Sequence, residues 1–171
     1  MKTYKVTVDS EGTTKWYNLQ DQLHNEHGPA VTWANGDKWW HLNDYRHRED
    51  GPAVIYADGA RYWYLNNKIH REDGPALEYA NGTKHWYLNG ELHREDGPAV
   101  IYADGSKAWY LNGKQHREHG PAIEYANGTK SWYLNDNWLT EQQFLEQTSS
   151  KTSCEGKVVE IDGKKYKLSS I

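Results

Sequence analysis

The chain is poor in the residues that build most protein cores. Its 171 residues include one Cys, one Met and one Phe, and Leu, Ile, Val and Phe together make up about 15% of it. The single Cys154 excludes a disulfide framework and a cysteine-based zinc site. So low an aliphatic share indicates disorder only when the net charge is high, and here the formal net charge is −4.

Several classes of protein are excluded by what is missing. No apolar run is long enough for a membrane span, and the first ten residues contain no apolar segment of the signal-peptide kind. We therefore expect a cytoplasmic protein with no membrane partner. The nearly balanced charge argues against a nucleic-acid binder, which would be basic. What the chain does contain is nine Trp and 13 Tyr, so aromatic rings must supply much of the buried surface.

The chain is a repeat array. All five prolines lie in one tripeptide, Gly-Pro-Ala, whose glycines stand at positions 28, 51, 74, 97 and 120, a constant spacing of 23. A fixed period of this length indicates a repeat architecture. Alternate repeats are more alike, since VIYADG begins at Val54 and Val100, and EYANGTK at Glu78 and Glu124. Duplication of a two-repeat unit and a structural alternation both account for this second rhythm.

Each repeat is predicted to be a β-hairpin. Asn81-Gly82 is a strong signal for a two-residue type I′ turn. Such a turn places Glu78 opposite His85. These two positions are the most variable ones of the repeat, and the turn makes them cross-strand partners. The predicted core face holds Leu77, Tyr79, Trp86 and Leu88. The predicted outward face holds Ala76, Glu78, His85 and Tyr87.

The fold class expected is all-β: an array of 23-residue hairpins in a single twisted antiparallel sheet, with a short C-terminal helix cap and a terminal hairpin. We place the array at residues 1–139, with a leading strand at 4–8. Thr140 to Gln143 form a capping box that opens a capping helix at 140–147. A linker at 148–156 and a terminal β-hairpin at 157–171 follow. That hairpin is too small to be stable alone, so it must dock on the array, on another copy or on a partner.

The unit WYLNGxxHREDGPAxxYANG resembles MORN-type repeats. It is closer to the MORN-like variant found in tailed-phage accessory proteins and in YwqK-type antitoxins. The resemblance covers about residues 12–147, although standard MORN repeats carry a Gly-x-Gly element where this chain has HREDGPA. It implies a curved antiparallel sheet used for binding without catalysis, and a phage origin. It names no partner.

Two motifs invite a catalytic or metal hypothesis. Histidines recur at one position per repeat, but equivalent residues stand roughly 9–10 Å apart, too far to share an ion. We expect each His to close its loop by hydrogen bonds, and we expect no metal and no cofactor. The set His-Arg-Glu-Asp occurs whole at His47, His70 and His93. An active site repeated along an array is not expected, so the arginines should form ion pairs with Glu or Asp of the same or the next loop.

The outward face and the aromatic N-terminal end are the predicted binding surface. Interfaces are enriched in Tyr, Trp and Arg. The candidate partner-binding residues are Trp33, Trp39, Tyr45, Tyr62, Tyr64, Tyr87, Tyr110 and Tyr133. The first functional hypothesis is a protein-interaction module, phage-encoded, that binds and inhibits or tethers a host protein such as a toxin or a defence factor. It would be no enzyme, and it could form oligomers through the terminal hairpin.

Two alternatives use the same residues differently. Aromatic rings and arginines that converge on a pocket would make a sponge for a small ligand, a nucleotide or a glycan. An enzyme would use one His-Arg-Glu-Asp set as its reacting centre. The pocket of the sponge could lie at a dimer interface, whereas the enzyme requires one repeat to be unlike the others.

Overall fold

The computed structural model describes residues 3–152, 158–161 and 164–167. These contain 23 strands and one helix, α1 (Glu141–Thr152). The strands are β1 (Lys5–Val8), β2 (Thr14–Tyr17), β3 (Val31–Thr32), β4 (Lys38–Trp39), β5 (His41–Leu42), β6 (Tyr45–Arg46), β7 (Val54–Ile55), β8 (Arg61–Tyr62), β9 (Tyr64–Leu65), β10 (Lys68–Ile69), β11 (Leu77–Glu78), β12 (Lys84–His85), β13 (Tyr87–Leu88), β14 (Glu91–Leu92), β15 (Val100–Ile101), β16 (Lys107–Ala108), β17 (Tyr110–Leu111), β18 (Lys114–Gln115), β19 (Ile123–Glu124), β20 (Lys130–Leu134), β21 (Asn137–Leu139), β22 (Val158–Ile161) and β23 (Lys164–Lys167).

The predicted fold class is confirmed. Thirteen strands form one antiparallel sheet that is not closed, in the order β1-β2-β3-β4-β7-β8-β11-β12-β15-β16-β19-β20-β21. Each repeat adds two strands to this long sheet. Each then forms a second, shorter hairpin beside it, such as β9–β10 or β13–β14. The HREDGPA segment leads from that second hairpin back to the long sheet, so a repeat contains two hairpins where the sequence indicated one.

The predicted register of the first hairpin is wrong by one residue. Leu77 pairs with His85, and Glu78 pairs with Lys84. The Tyr79 N–H donates to the Thr83 carbonyl and the Gly82 N–H to the Tyr79 carbonyl, both at 2.9 Å. This is a three-residue loop that ends in a glycine at φ +90°. Asn81 does not have the positive φ that a type I′ turn requires, because its side chain instead accepts the Thr83 N–H at 2.9 Å.

The type I′ turn lies in the second hairpin. Asn89 and Gly90 have φ values of +54° and +93°, and they join Leu88 to its partner Glu91 with two residues. Both central residues of such a turn need φ > 0, which explains why only Asn, Asp or Gly occupies these two positions throughout the array.

The one-residue shift exchanges the two faces of the long sheet. The column of variable residues that includes Tyr62 and His85 lies on the same side as Val54 and Leu77. The opposite side carries Glu78 against Lys84 and Ile55 against Arg61. We call the first side the aromatic face and the second side the charged face. The predicted outward aromatic face and the predicted Trp core face are therefore both corrected.

The core consists of small and aliphatic residues. The alanine of each Gly-Pro-Ala tripeptide has no exposed surface, and the residue after it is Val31, Val54, Leu77 or Val100 in the first four repeats, each at most 5% exposed. The Trp of each repeat is only partly buried. A core predicted around Trp is thus replaced by an Ala–aliphatic core, on which larger rings lie.

The C-terminal cap forms as predicted at its start. Thr140 Oγ1 accepts the Gln143 N–H at 3.2 Å, and Gln143 Oε1 accepts the Thr140 N–H at 3.0 Å. Phe144 is 4% exposed, and α1 packs against β20 and β21. Trp138 and Leu145, at the same end of the array, are exposed.

The chain beyond the array differs in extent from the expected boundaries. Helix α1 continues through Thr152, into the segment predicted as a linker. The rest of that linker, residues 153–156, lies outside the described residues. A terminal hairpin is present, with Val158 paired to Lys167 and Ile161 to Lys164.

Candidate binding face

The HRED loops are built around stacked arginines. Arg94 Cζ lies 4.3 Å from the centroid of the Trp86 ring, and the other repeats have distances of 4.3, 4.2 and 3.8 Å. Arg94 Nε also donates to Asp96 Oδ1 at 2.8 Å within the same loop. The predicted ion pairs within a loop are confirmed. The hydrogen bond from Arg94, and then its charge, lowers the pKa of the Asp96 carboxyl.

A glycine lies under each of these guanidinium groups. A Cβ atom at Gly74 would come within 2.9 Å of Arg71 Cζ. The same guanidinium is placed 4.2 Å from Trp63 and donates through Nη1 to the Pro75 carbonyl at 3.2 Å. In the four repeats that carry the arginine, a Cβ at the Gly of Gly-Pro-Ala would crowd the stacked guanidinium group, and the sequence did not reveal this close approach.

The histidines connect neighbouring repeats. His70 Nδ1 accepts the N–H of Asn89 in the next repeat at 3.1 Å, and the four equivalent bonds measure 3.2 or 3.3 Å. An Nδ1 that accepts carries no proton, so the neutral ring has its proton on Nε2, which lies 3.8 Å from Glu72. The His column has a structural role, as predicted, but each side chain accepts from the following repeat and does not close its own loop. Each His holds the type I′ turn of the following repeat.

The aromatic face carries a row of rings in contact. Tyr56 and Tyr62 have centroids 5.1 Å apart, and Tyr62 lies 5.4 Å from Tyr79. Tyr79 lies 5.1 Å from His85, which lies 6.3 Å from Tyr102. The pairs meet edge to face, the geometry that ring quadrupoles favour. The row crosses several repeats on one face of the sheet.

Burial shifts the pKa values of ionisable groups on this face. Burial, and then the neighbouring Tyr79 and Tyr56, raise the pKa of Tyr62 to about 12. Burial alone lowers the pKa of His85 from its ordinary value. The Tyr62 phenol and the His85 imidazole are therefore neutral at pH 7.

A separate tryptophan cluster lies on the aromatic face towards the N-terminus of the chain. Trp33 and Trp39 meet at 5.4 Å, and Arg46 Cζ lies 5.1 Å from Trp39 and 5.4 Å from Tyr64. The Nε1 atoms of both tryptophans are buried without a hydrogen-bond partner. They lie inside the cluster, so its contact surface is made of ring carbons and the guanidinium group.

Most of the predicted binding residues gather on the aromatic face. Trp33, Trp39, Tyr62 and Tyr64 are joined by ring contacts or by Arg46. The phenols of Tyr64 and Tyr110 help to raise the pKa of Tyr87, after burial and Tyr79, which indicates that these phenols are neighbours.

Two of the predicted residues lie apart from that group. Tyr45 follows Leu42 across the β5–β6 turn and precedes Arg46, so its side chain points to the side opposite Arg46. Tyr133 pairs with Trp138 in the hairpin that ends the array.

The sequence reasoning missed half of the row. Except for Trp33, the aromatic residue before each ADG or ANG turn was assigned to the core, whereas Tyr102 and Tyr125 are 43% and 44% exposed. Arg46 and His41 were also missed. These residues could be identified only with the correct register. That register places positions 33, 56, 79, 102 and 125 on the same side of the sheet as the variable residues such as Tyr62 and His85.

The charged face has a different surface. Open grooves lie between successive HRED loops, and one with a volume of about 610 Å³ is lined by Arg71, Trp86, Leu88 and Arg94 among others.

Within the part of the chain that the structure describes, no three His, Cys, Asp or Glu side chains gather where they could hold a metal ion. No described helix is both long and apolar enough to cross a membrane.

No protein-family profile matches the chain, and no curated protein sequence matches it.

Proposed function

We propose that this chain is a protein-interaction module that binds a partner protein through its aromatic face, without turnover of its own. The observation that carries the proposal is the row of ring contacts from Tyr56 to Tyr102, which crosses the repeats on one face. A contiguous apolar strip marks an interaction surface, whereas scattered exposed rings do not. Tyr, Trp and Arg are the side chains that contribute most at protein interfaces.

The HRED loops support binding in place of catalysis. Their His, Arg and Asp groups are engaged with the Asn turn, the Trp ring and one another in the same way in repeat after repeat. A reacting centre would need one set to be arranged differently. The MORN-like resemblance implies a phage origin but names no partner, and our proposal is that the chain meets a host toxin or defence protein in the host cytoplasm.

Substitutions on opposite faces test the surface. The full chain, immobilised, is used to capture proteins from a bacterial lysate, and the captured protein is then purified and titrated. Tyr102→Glu combined with Tyr125→Glu should weaken that binding at least tenfold, because two exposed rings are replaced by charges. Lys38→Glu adds a carboxylate to the charged face and should leave the affinity unchanged.

Two outcomes would overturn the proposal. Equal affinity of the double variant and of Lys38→Glu would show that the aromatic face is not the contact surface. A nucleotide or glycan that stays bound to the purified chain in native mass spectrometry, and that competes with the partner, would favour the small-ligand sponge.

A further inference from the structure

Strand β1 is an open edge of the long sheet. It begins the strand order and pairs with β2 in the described structure. All four of its residues are exposed, and Val6 and Val8 are 45% and 66% exposed on the same side of the strand. An unprotected edge strand with exposed β-branched residues is a template for another strand.

The hydrogen-bonding pattern identifies the free backbone groups of this edge. The Asp9 N–H donates to the Thr13 carbonyl, towards β2, at 3.1 Å. Because directions alternate along an antiparallel strand, Thr7 and Lys5 also face β2, whereas Val6 and Val8 point their N–H and carbonyl groups outward. Opposite Val6, the Trp16 N–H donates away from β1 to Ala30 at 2.7 Å, as this alternation requires.

We propose that β1 binds β1 of a second copy of this chain in an antiparallel pair centred on Thr7. In this register Val6 lies opposite Val8 of the partner subunit, and these are the residues with free backbone groups. The pair then forms four backbone hydrogen bonds. Thr7 lies against Thr7 of the partner subunit, and threonine pairs are favourable cross-strand neighbours.

Charge supports the same register. Lys5 falls opposite Asp9 of the partner subunit, and the symmetry repeats this ion pair on the other side of the axis. In the single chain Lys5 Nζ lies 2.8 Å from Asp21, and Asp9 Oδ1 accepts the N–H groups of Glu11 and Thr13, which fixes the carboxylate at the end of β1. A shift by two residues would move Lys5 away from Asp9 of the partner subunit and leave one Val of each strand without its partner.

The dimer would extend the aromatic face. In an antiparallel pair, opposed side chains lie on the same side of the sheet, so the aromatic faces of the two copies point the same way. The sheet becomes continuous across the axis and presents two binding surfaces side by side. This inference stands independently of the proposed function, because the dimer forms or fails without any partner protein.

Proline at an outward-facing position tests the edge. Val8→Pro removes an N–H that points away from β2, so the pairing of β1 with β2 remains, whereas the bond to the second copy is lost. Sedimentation of the full chain at up to about 0.5 mM should show a dimer, weakened at least tenfold in Val8→Pro. Val8→Ile keeps the N–H and should dimerise as the unchanged chain does.

A second pair of variants tests the register. Lys5→Glu places one carboxylate opposite the Asp9 carboxylate of the partner subunit, and this repulsion should weaken the dimer. Asp21→Asn removes the ion pair within the chain but not the one between copies, and should leave the dimer intact. A chain that stays monomeric, a dimer equally stable in Val8→Pro and Val8→Ile, or a dimer indifferent to Lys5→Glu would each overturn the proposal.

Discussion

One residue in each turn decides which side chains share a face. Asn81-Gly82 joins its strands with a loop that includes Ala80, so His85 lies opposite Leu77 and its side chain joins the tyrosines. Because side chains alternate with a period of two, a shift of one residue moves every one of them to the other face. The same shift puts Lys84 and its equivalents on the charged face.

His85 makes stability depend on pH. Burial lowers its pKa, so between the folded pKa and the ordinary value near 6.5 the unfolded chain binds more protons than the folded chain. The contribution of His85 to stability is therefore fully present above pH 6.5 and is lost as the pH falls below that value. Burial, and then the charge of Arg46, lower the pKa of His41 in the same direction.

A tyrosine at position 85 isolates this contribution. His85→Tyr copies Tyr62, the equivalent residue of the preceding repeat, and should lose less stability than the unchanged chain between pH 7.5 and 5.5. Urea unfolding at several pH values measures the difference. Identical pH profiles would mean that the imidazole is not partly buried among the rings of the aromatic face.

At the scale of the element, the two hairpins of a repeat use different turns. The first bends through a glycine at positive φ, with an Asn or Asp side chain that accepts a backbone N–H. The second needs two residues at positive φ, and the His of the preceding repeat accepts the N–H of the first. In the third repeat both turns have the sequence Asn-Gly, yet only the second is type I′.

Two asparagine substitutions distinguish these turns. Asn89→Ala should cost about 1 kcal/mol of unfolding free energy, because alanine resists the left-handed conformation. Asn81→Asp should change stability by less than about 0.5 kcal/mol, because Asp58 makes the equivalent bond to Ala60 at 2.9 Å. Chemical denaturation measures both. A larger loss of unfolding free energy in Asn81→Asp than in Asn89→Ala would show that the two-residue turn lies in the first hairpin.

At the scale of the whole molecule, stability is distributed along the array. Each repeat contacts its neighbours through the strand ladder and the His–Asn bonds, so a local defect should be felt mainly nearby. The two ends are different: the last strands pack on α1, while β1 has an open edge.

Removing the ring of Phe144 should loosen only the capped end. Phe144→Ala is expected to cost about 3 kcal/mol there, because the ring is almost fully buried. Hydrogen exchange should become faster in β19 and β20 and stay unchanged in β3 and β4. Exposed Leu145→Ala is the matched control. Uniformly faster exchange would show one cooperative unit in place of a graded array.

Part of the candidate site could be predicted from the sequence. The period, the aromatic columns and the concentration of variation at His85 and its equivalents selected Trp33, Trp39 and Tyr62 correctly as neighbours of one face. Tyr79 and Tyr102 were assigned to the core because the wrong turn type was chosen. Arg46 had no signal in the repeat, since the equivalent residues are Ile69 and Leu92.

The repeat, its antiparallel hairpins, the helix cap and a structural role for the HRED histidines follow from the amino-acid sequence, because each rests on local turn chemistry and a fixed period. The register, the second hairpin and the composition of the core became visible in the folded chain alone. An Asn-Gly pair can belong to a hairpin loop of two or of three residues, and packing between repeats decides which loop length forms. Leu77 can be buried between Tyr62 and His85, above a fully buried alanine, in only one of these registers.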